Sequence, residues 1–322
     1  MMTNALTAGV GPPTIGALLG LSESPVTPLS VVAIICAVAY VVGALALWSA
    51  GRHWSLWRTV AFLGGCLLIL AVSATGIQTY GQMLFSVFMF QQLTLMMAVP
   101  PLLALGAPGT LLLRSVPHTG LGRMILRIAI AGLRSPVGRG LLHPAFTVPL
   151  FLFTFYGFYL GDVDDLVLQS PIGHNAALLL FLASGIIFTI PLIAADPLPR
   201  RHGYLTRVLD LFLEMALHAF FGVIVMISAR PLVDVFVSPT AALGMNALED
   251  QKIAGALAWS YGEFPTVIML LVLLSRWFKD DTRRALAADA RADRYGNQEL
   301  DDYNAYLERL NSRAIRQKGS EQ

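Results

Sequence analysis

Long apolar runs at regular intervals, each closed by a short polar stretch, dominate this 322-residue chain. Seven runs approach or exceed the roughly 20 residues a helix needs to cross a bilayer core. They are predicted near Leu29–Ala50, Thr59–Ile77, Met83–Leu105, Pro144–Leu160, Gly173–Ala194, Val208–Ser228 and Ile253–Phe278, the fourth being the shortest. The expected fold is an all-α integral membrane protein, a bundle of about seven transmembrane helices. An extracytoplasmic lead over residues 1–28, a membrane domain over 29–278 and a charged cytoplasmic tail over 279–322 complete the expected organisation. No internal repeat is visible, so an inverted-repeat transporter gains no support.

Charge supplies the direction of the bundle. The first loop carries Arg52 and Arg58, the third Arg114, Arg123, Arg127, Arg134 and Arg139, and the fifth Arg200, Arg201 and Arg207. The lead and second loop have no basic residue, the fourth offers Asp162, Asp164 and Asp165, and the sixth only Arg230 and Lys252. Basic loops stay on the cytoplasmic side, which predicts an outside N-terminus and a cytoplasmic C-terminus. The lead lacks the positive start of a cleaved signal, so the first span is expected to be retained. Within the third loop, Gly120–Arg134 places Arg123, Arg127 and Arg134 on one side, which suits a helix in the inner headgroup layer. In the tail, Leu300, Tyr303, Tyr306, Leu307 and Leu310 fall on one helical stripe, and both a solvated tail and a docking helix fit that pattern.

Composition agrees, with 56% apolar residues and only 13% charged. Such a chain cannot cover a water-facing surface, which excludes a soluble enzyme and makes the lipid bilayer its main solvent. The net charge of +2 gives no case for nucleic acid as a partner. Cys36 and Cys66 lie inside apolar runs, without disulfide or metal-ligand spacing. No H-E-x-x-H, Walker A, G-x-S-x-G or C-x-x-C pattern occurs, and nothing argues for an enzyme.

Chemistry is then sought where polar groups interrupt the spans, since a charge at the bilayer centre costs about 2.5–3.5 kcal/mol. The third span holds Gln91 and Gln92, the fifth opens with His174, and the sixth carries Asp210, Glu214 and His218. Glu263 lies in the seventh, between Gly262 and Pro265, where a loosened helix would open a polar cavity. Glu214 and His218 are four apart and share a helix face, either as a buried structural pair or as part of a site. His174 and His218 are the two histidines expected inside the bundle; His53, His118, His143 and His202 sit beside basic loops. Met83, Met89, Met226 and Met245 map to the outer half or outer loops. Thioether and imidazole together suit Cu(I), although methionine fills packing gaps equally well.

The order of several short motifs resembles a known family. Pro100-Pro101-Leu102-Leu103-Ala104-Leu105-Gly106-Ala107-Pro108 closes the third span, followed by His143-Pro144, Gly173-His174 and Asp196-Pro197-Leu198-Pro199. His218 with Gly222 comes next, then Asp250-Gln251-Lys252-Ile253-Ala254-Gly255 and Trp259, Gly262, Glu263 and Pro265. Together these are similar to the seven-span CtaG-type cytochrome c oxidase assembly proteins, over roughly Leu29 to Arg294, and the tail resembles actinobacterial members. The resemblance implies a multi-pass protein of the cell membrane that works with cytochrome c oxidase subunits and supplies copper to the enzyme. It also implies positions for His174, His218, Asp250 and Glu263. Members usually carry H-M-x-Q-H in the third span, where this chain reads Phe88-Met89-Phe90-Gln91-Gln92. Phe cannot ligate a metal and a carboxamide is a poor Cu(I) ligand, so the copper ion's site is altered here. His174 and His218 with Met89 are the remaining expected metal ligands. A metal-free scaffold for oxidase subunits is the alternative, and a copper or solute transporter a more distant one.

Overall fold

The computed structural model describes residues 11–21, 26–161, 163–193, 196, 203–295 and 298–320. Asp162, Ala194, Pro197, Leu198, Pro199, Arg200, Arg201 and His202 lie outside this set. The described residues are all-α apart from one isolated bridge between Leu21 and Thr75. Two units divide the chain, Met1–Leu273 and Leu274–Gln322. The second holds the C-terminal part of the helix Glu263–Tyr295 and the helix Gln298–Ser320, whose Leu300, Tyr303, Tyr306, Leu307 and Leu310 are exposed.

Seven apolar helices are numbered here in chain order. The first, Pro28–Ser49, begins at a reciprocal cap: Thr27 Oγ1 accepts from Ser30 N at 3.1 Å, and Ser30 Oγ accepts from Thr27 N at 2.9 Å. The second is Leu56–Ser73, so the expected Ile77 end falls instead in a separate short helix, Gly76–Tyr80. The third runs as Phe85–Leu93, a π turn over Thr94–Ala98, and Val99–Leu105. Pro100 and Pro101 explain the turn, since neither has an N–H for the carbonyls of Met96 and Met97, and the wider register absorbs the mismatch. The fourth runs as Pro144–Leu152 followed by a π turn over Phe153–Gly157. The fifth is Pro171–Ile193 and the sixth Tyr204–Ile227.

The seventh is not one rod. Ala247–Ser260 stops, Tyr261 and Gly262 form a turn, and Glu263–Tyr295 starts afresh. Pro265 removes the N–H that would have bonded the Tyr261 carbonyl, which fixes the break there. Six of the seven stretches are long and apolar enough to cross a membrane, and the fourth is a shorter apolar helix.

Contacts among the connections sort them into two groups at opposite ends. Arg52 Nη1 donates to the Arg114 carbonyl at 3.1 Å, and Arg114 Nη2 to the His53 carbonyl at 3.3 Å. Both Arg58 and Arg114 also lie over the Trp54 ring. Asp196, after the fifth helix, accepts from Gly109 N at 3.0 Å and Thr110 N at 2.6 Å, capping the helix Pro108–Ser115. The first, third and fifth connections therefore share one end. At the other, Gly76 N bonds the Gly20 carbonyl at 2.8 Å and Tyr80 the Gly11 carbonyl at 2.9 Å, joining the lead to the second connection. There also Thr240 Oγ1 bonds the Met83 carbonyl, and Val235 N bonds Asp165 Oδ1, bringing in the sixth and fourth. Gly120–Arg134 is a helix with Leu121, Met124, Ile125 and Ile128 exposed along it.

The core lies between these ends. The sixth and seventh helices pack backbone to backbone at Gly222 and Gly255, where an added methyl would lie 2.6 Å from the amide nitrogen of Trp259 or Met226 respectively. Gly185 brings the fifth helix equally close to the third, since a methyl there would meet the Met96 carbonyl at 2.2 Å.

Candidate functional site

Three irregular backbone segments meet at one depth of the bundle. The third helix's π turn faces the seventh helix's break, with Thr94 Oγ1 and Tyr261 OH 3.3 Å apart. The fourth helix's π turn packs against them, and its Thr154 Oγ1 donates to Met96 Sδ at 3.2 Å. Irregular backbone frees carbonyls that must find side-chain partners in a bilayer. Gln92 performs that service: its Nε2 donates to the Thr154 carbonyl at 3.0 Å, while Tyr159 OH donates to its Oε1.

Into this layer the sixth helix projects Glu214 and His218, both essentially inaccessible to solvent. Their spacing brings His218 Nδ1 to 3.6 Å from Glu214 Oε1, the pairing the sequence suggested. Glu214 Oε2 accepts from Thr266 Oγ1 at 3.4 Å, on the helix that restarts after the break. No well-formed hydrogen bond reaches either ring nitrogen of His218, although the backbone oxygens of Glu214 and Ala258 approach the ring. Its Nε2 edge rests on Gly262, where an added methyl would lie 2.3 Å away and only 3.0 Å from Met97 Sδ.

His174 occupies a different setting. It is 3% exposed, its Nε2 also lacks a partner, and its ring lies 5.0 Å from that of Phe88. Phe88 in turn contacts the rings of Phe181 and Phe236, so an aromatic cluster encloses this imidazole. His218 belongs with Met97, nine residues on from Phe88, which is about 13 Å of helical rise. Met89 is fully buried in the main apolar cluster. Among the described residues, no three His, Cys, Asp or Glu side chains are grouped to hold a metal ion.

The other polar positions serve the helix ends and neighbouring backbone. Asp250 receives Ser86 N at 3.2 Å and the Ser86 hydroxyl, placing a carboxylate at the start of the third helix, where the helix dipole favours negative charge. Gln91 Nε2 donates to the Val72 carbonyl at 2.7 Å and to Gln78 Oε1 at 3.0 Å. Gln251 accepts from Leu232 N at 2.7 Å and donates to the carbonyls of Val225 and Arg230 at the end of the sixth helix. Glu263 is half-buried in the first turn after the break, and Asp210 is half-buried in the sixth helix.

Sequence reasoning passed over Met97, Tyr159 and Thr154. The signal for Met97 was its place in Met96-Met97, three residues ahead of the Pro pair, where a distorted helix turns side chains out of the usual register. Tyr159 and Thr154 carry no local signal, since their partners lie more than fifty residues away.

The chain is 36% identical over 282 residues to an uncharacterized protein of Mycobacterium leprae, covering 86% of this chain and 43% of the relative. It is 34% identical over 303 residues to an uncharacterized protein of Mycobacterium bovis, covering 93% of this chain and 46% of the relative. The chain thus spans less than half the length of these curated relatives. No solved structure matches it. Residues 38–280 match the Cytochrome c oxidase caa3 assembly factor (Caa3_CtaG) family, and the chain belongs to that family.

Proposed function

We propose that this protein is a cell-membrane assembly factor for the terminal cytochrome c oxidase, with Cu(I) as its cargo. The polypeptide crosses the membrane seven times, with its N-terminus outside and its charged tail in the cytoplasm. The contacts that group the first, third and fifth connections at one end, and the lead, second, fourth and sixth at the other, support that count. The arginines of the first group support the orientation.

The observation that carries the copper reading is a pair of imidazoles, buried at membrane depth, of which His174 Nε2 and both His218 nitrogens make no well-formed hydrogen bond. Buried polar atoms are normally paired, so such atoms suit a ligand. A metal-free scaffold for oxidase subunits is favoured instead by the third helix's replaced histidine positions. Phe88 is packed among aromatic rings, and Gln92 is consumed by Thr154 and Tyr159.

Oxidase assembly in the host separates these readings. A strain lacking the protein is expected to lose oxidase activity and copper in the isolated oxidase. Complementation with His174→Ala, His218→Ala protein is expected to leave the oxidase copper-poor. Full recovery by the double variant would replace the copper reading with the scaffold, and a null strain with normal oxidase would overturn the assembly role.

A further inference from the structure

We propose that Met97 Sδ and His218 Nε2 are the ligand pair for Cu(I), with Glu214 orienting the imidazole. The assignment deepens the copper reading above and rests on it. It replaces Met89 as the methionine ligand and leaves His174 outside the site.

Four observations converge on this pair. First, both atoms border Gly262, since a methyl added there would lie 2.3 Å from Nε2 and 3.0 Å from Sδ, which makes the two donors neighbours. Second, His218 is wholly buried and neither ring nitrogen makes a well-formed hydrogen bond, the backbone oxygens of Glu214 and Ala258 only approaching it, so a metal meets weak competition for Nε2. Third, the donor atoms are soft: thioether with imidazole prefers Cu(I) and discriminates against Mg²⁺ and Ca²⁺, which demand oxygen. Fourth, Glu214 Oε1 lies 3.6 Å from Nδ1, on the opposite edge of the ring. A carboxylate on one imidazole nitrogen with a metal on the other is a recurrent arrangement that fixes the ring and raises its basicity.

The backbone has been shaped for the meeting. The π turn over Thr94–Ala98 directs Met97, the break at Tyr261–Gly262 removes the side chain that would separate it from His218, and the Thr94–Tyr261 contact ties the two irregularities together. Met89 lies eight residues before Met97, about 12 Å of rise away along the third helix.

The test uses full-length protein in detergent, loaded anaerobically with Cu(I), titrated with a chromophoric Cu(I) chelator and measured by copper X-ray absorption. Wild type is expected to hold one equivalent with a sulfur and a nitrogen neighbour. Met97→Leu, which keeps the volume of the side chain, should weaken binding roughly tenfold or more and remove the sulfur neighbour. His218→Gln should do the same for nitrogen, and His174→Ala should change neither. Retention of the sulfur neighbour in Met97→Leu, or copper lost only in His174→Ala, overturns this site while copper handling stands. A wild-type protein without copper overturns both.

Discussion

The two buried histidines sit in contrasting parts of the same bundle. Around His174 the third helix is regular, the neighbours are aromatic, and the Phe88 ring lies against the imidazole. Around His218 the third and fourth helices pass through π turns, the seventh is broken, and the neighbours are a thioether, a carboxylate, a bare glycine and the Phe155 ring. Both imidazoles are shielded from solvent, so burial alone does not distinguish them. The difference lies in backbone regularity: an ordinary helix satisfies its own polar groups, while a distorted one lets polar side chains converge.

Substitutions can break or sharpen this contrast. The largest effect is expected at Gly185, where an alanine methyl would press on the Met96 carbonyl at 2.2 Å, and backbone cannot swing aside. Gly185→Ala should cost about 3 kcal/mol, at the upper end for overpacking, read as a lowered Tm in detergent. Gly262→Ala meets side-chain ends instead, so about 2 kcal/mol is expected, with recovery of most of it in Gly262→Ala, His218→Ala. Absence of recovery would mean that His218 does not rest on Gly262.

Gln92→Leu leaves the Tyr159 hydroxyl and Thr154 carbonyl unpaired and should cost about 1–2 kcal/mol. Adding Tyr159→Phe should return part of that loss, as a double-mutant cycle on stability would register. The smallest change is expected for Phe88→Leu, about 1 kcal/mol from lost ring contacts with His174, Phe181 and Phe236. Copper affinity should be unchanged in that variant; a fall would draw the aromatic level into the metal site.

Much of the architecture was legible because bilayer crossing imposes length and apolarity on each run. The first and fifth helices begin within two residues of expectation, and Glu214 met His218 as their four-residue spacing required. Gly262 and Pro265 signalled a loosened helix, and it is a complete break. The π turns were hidden, because an apolar run reads alike whichever carbonyl each amide bonds. Asp250 illustrates the other limit. Its partner Ser86 lies 164 residues earlier, and only the folded bundle reveals that this carboxylate receives the first-turn amide of the third helix. The assignment of Met97 over Met89 is likewise tertiary, since both are buried methionines on one helix.

Those distant carboxylates also give biogenesis a direction. The third helix is synthesised long before Asp250, and the helix Pro108–Ser115 long before Asp196. Each emerges from the ribosome with first-turn amides lacking the carboxylate that completes them. A nascent chain halted after the sixth helix lacks the seventh and, with it, the carboxylate at the head of the third. Asp250 therefore completes the first turn of the third helix only once the seventh helix has been made and packed against it.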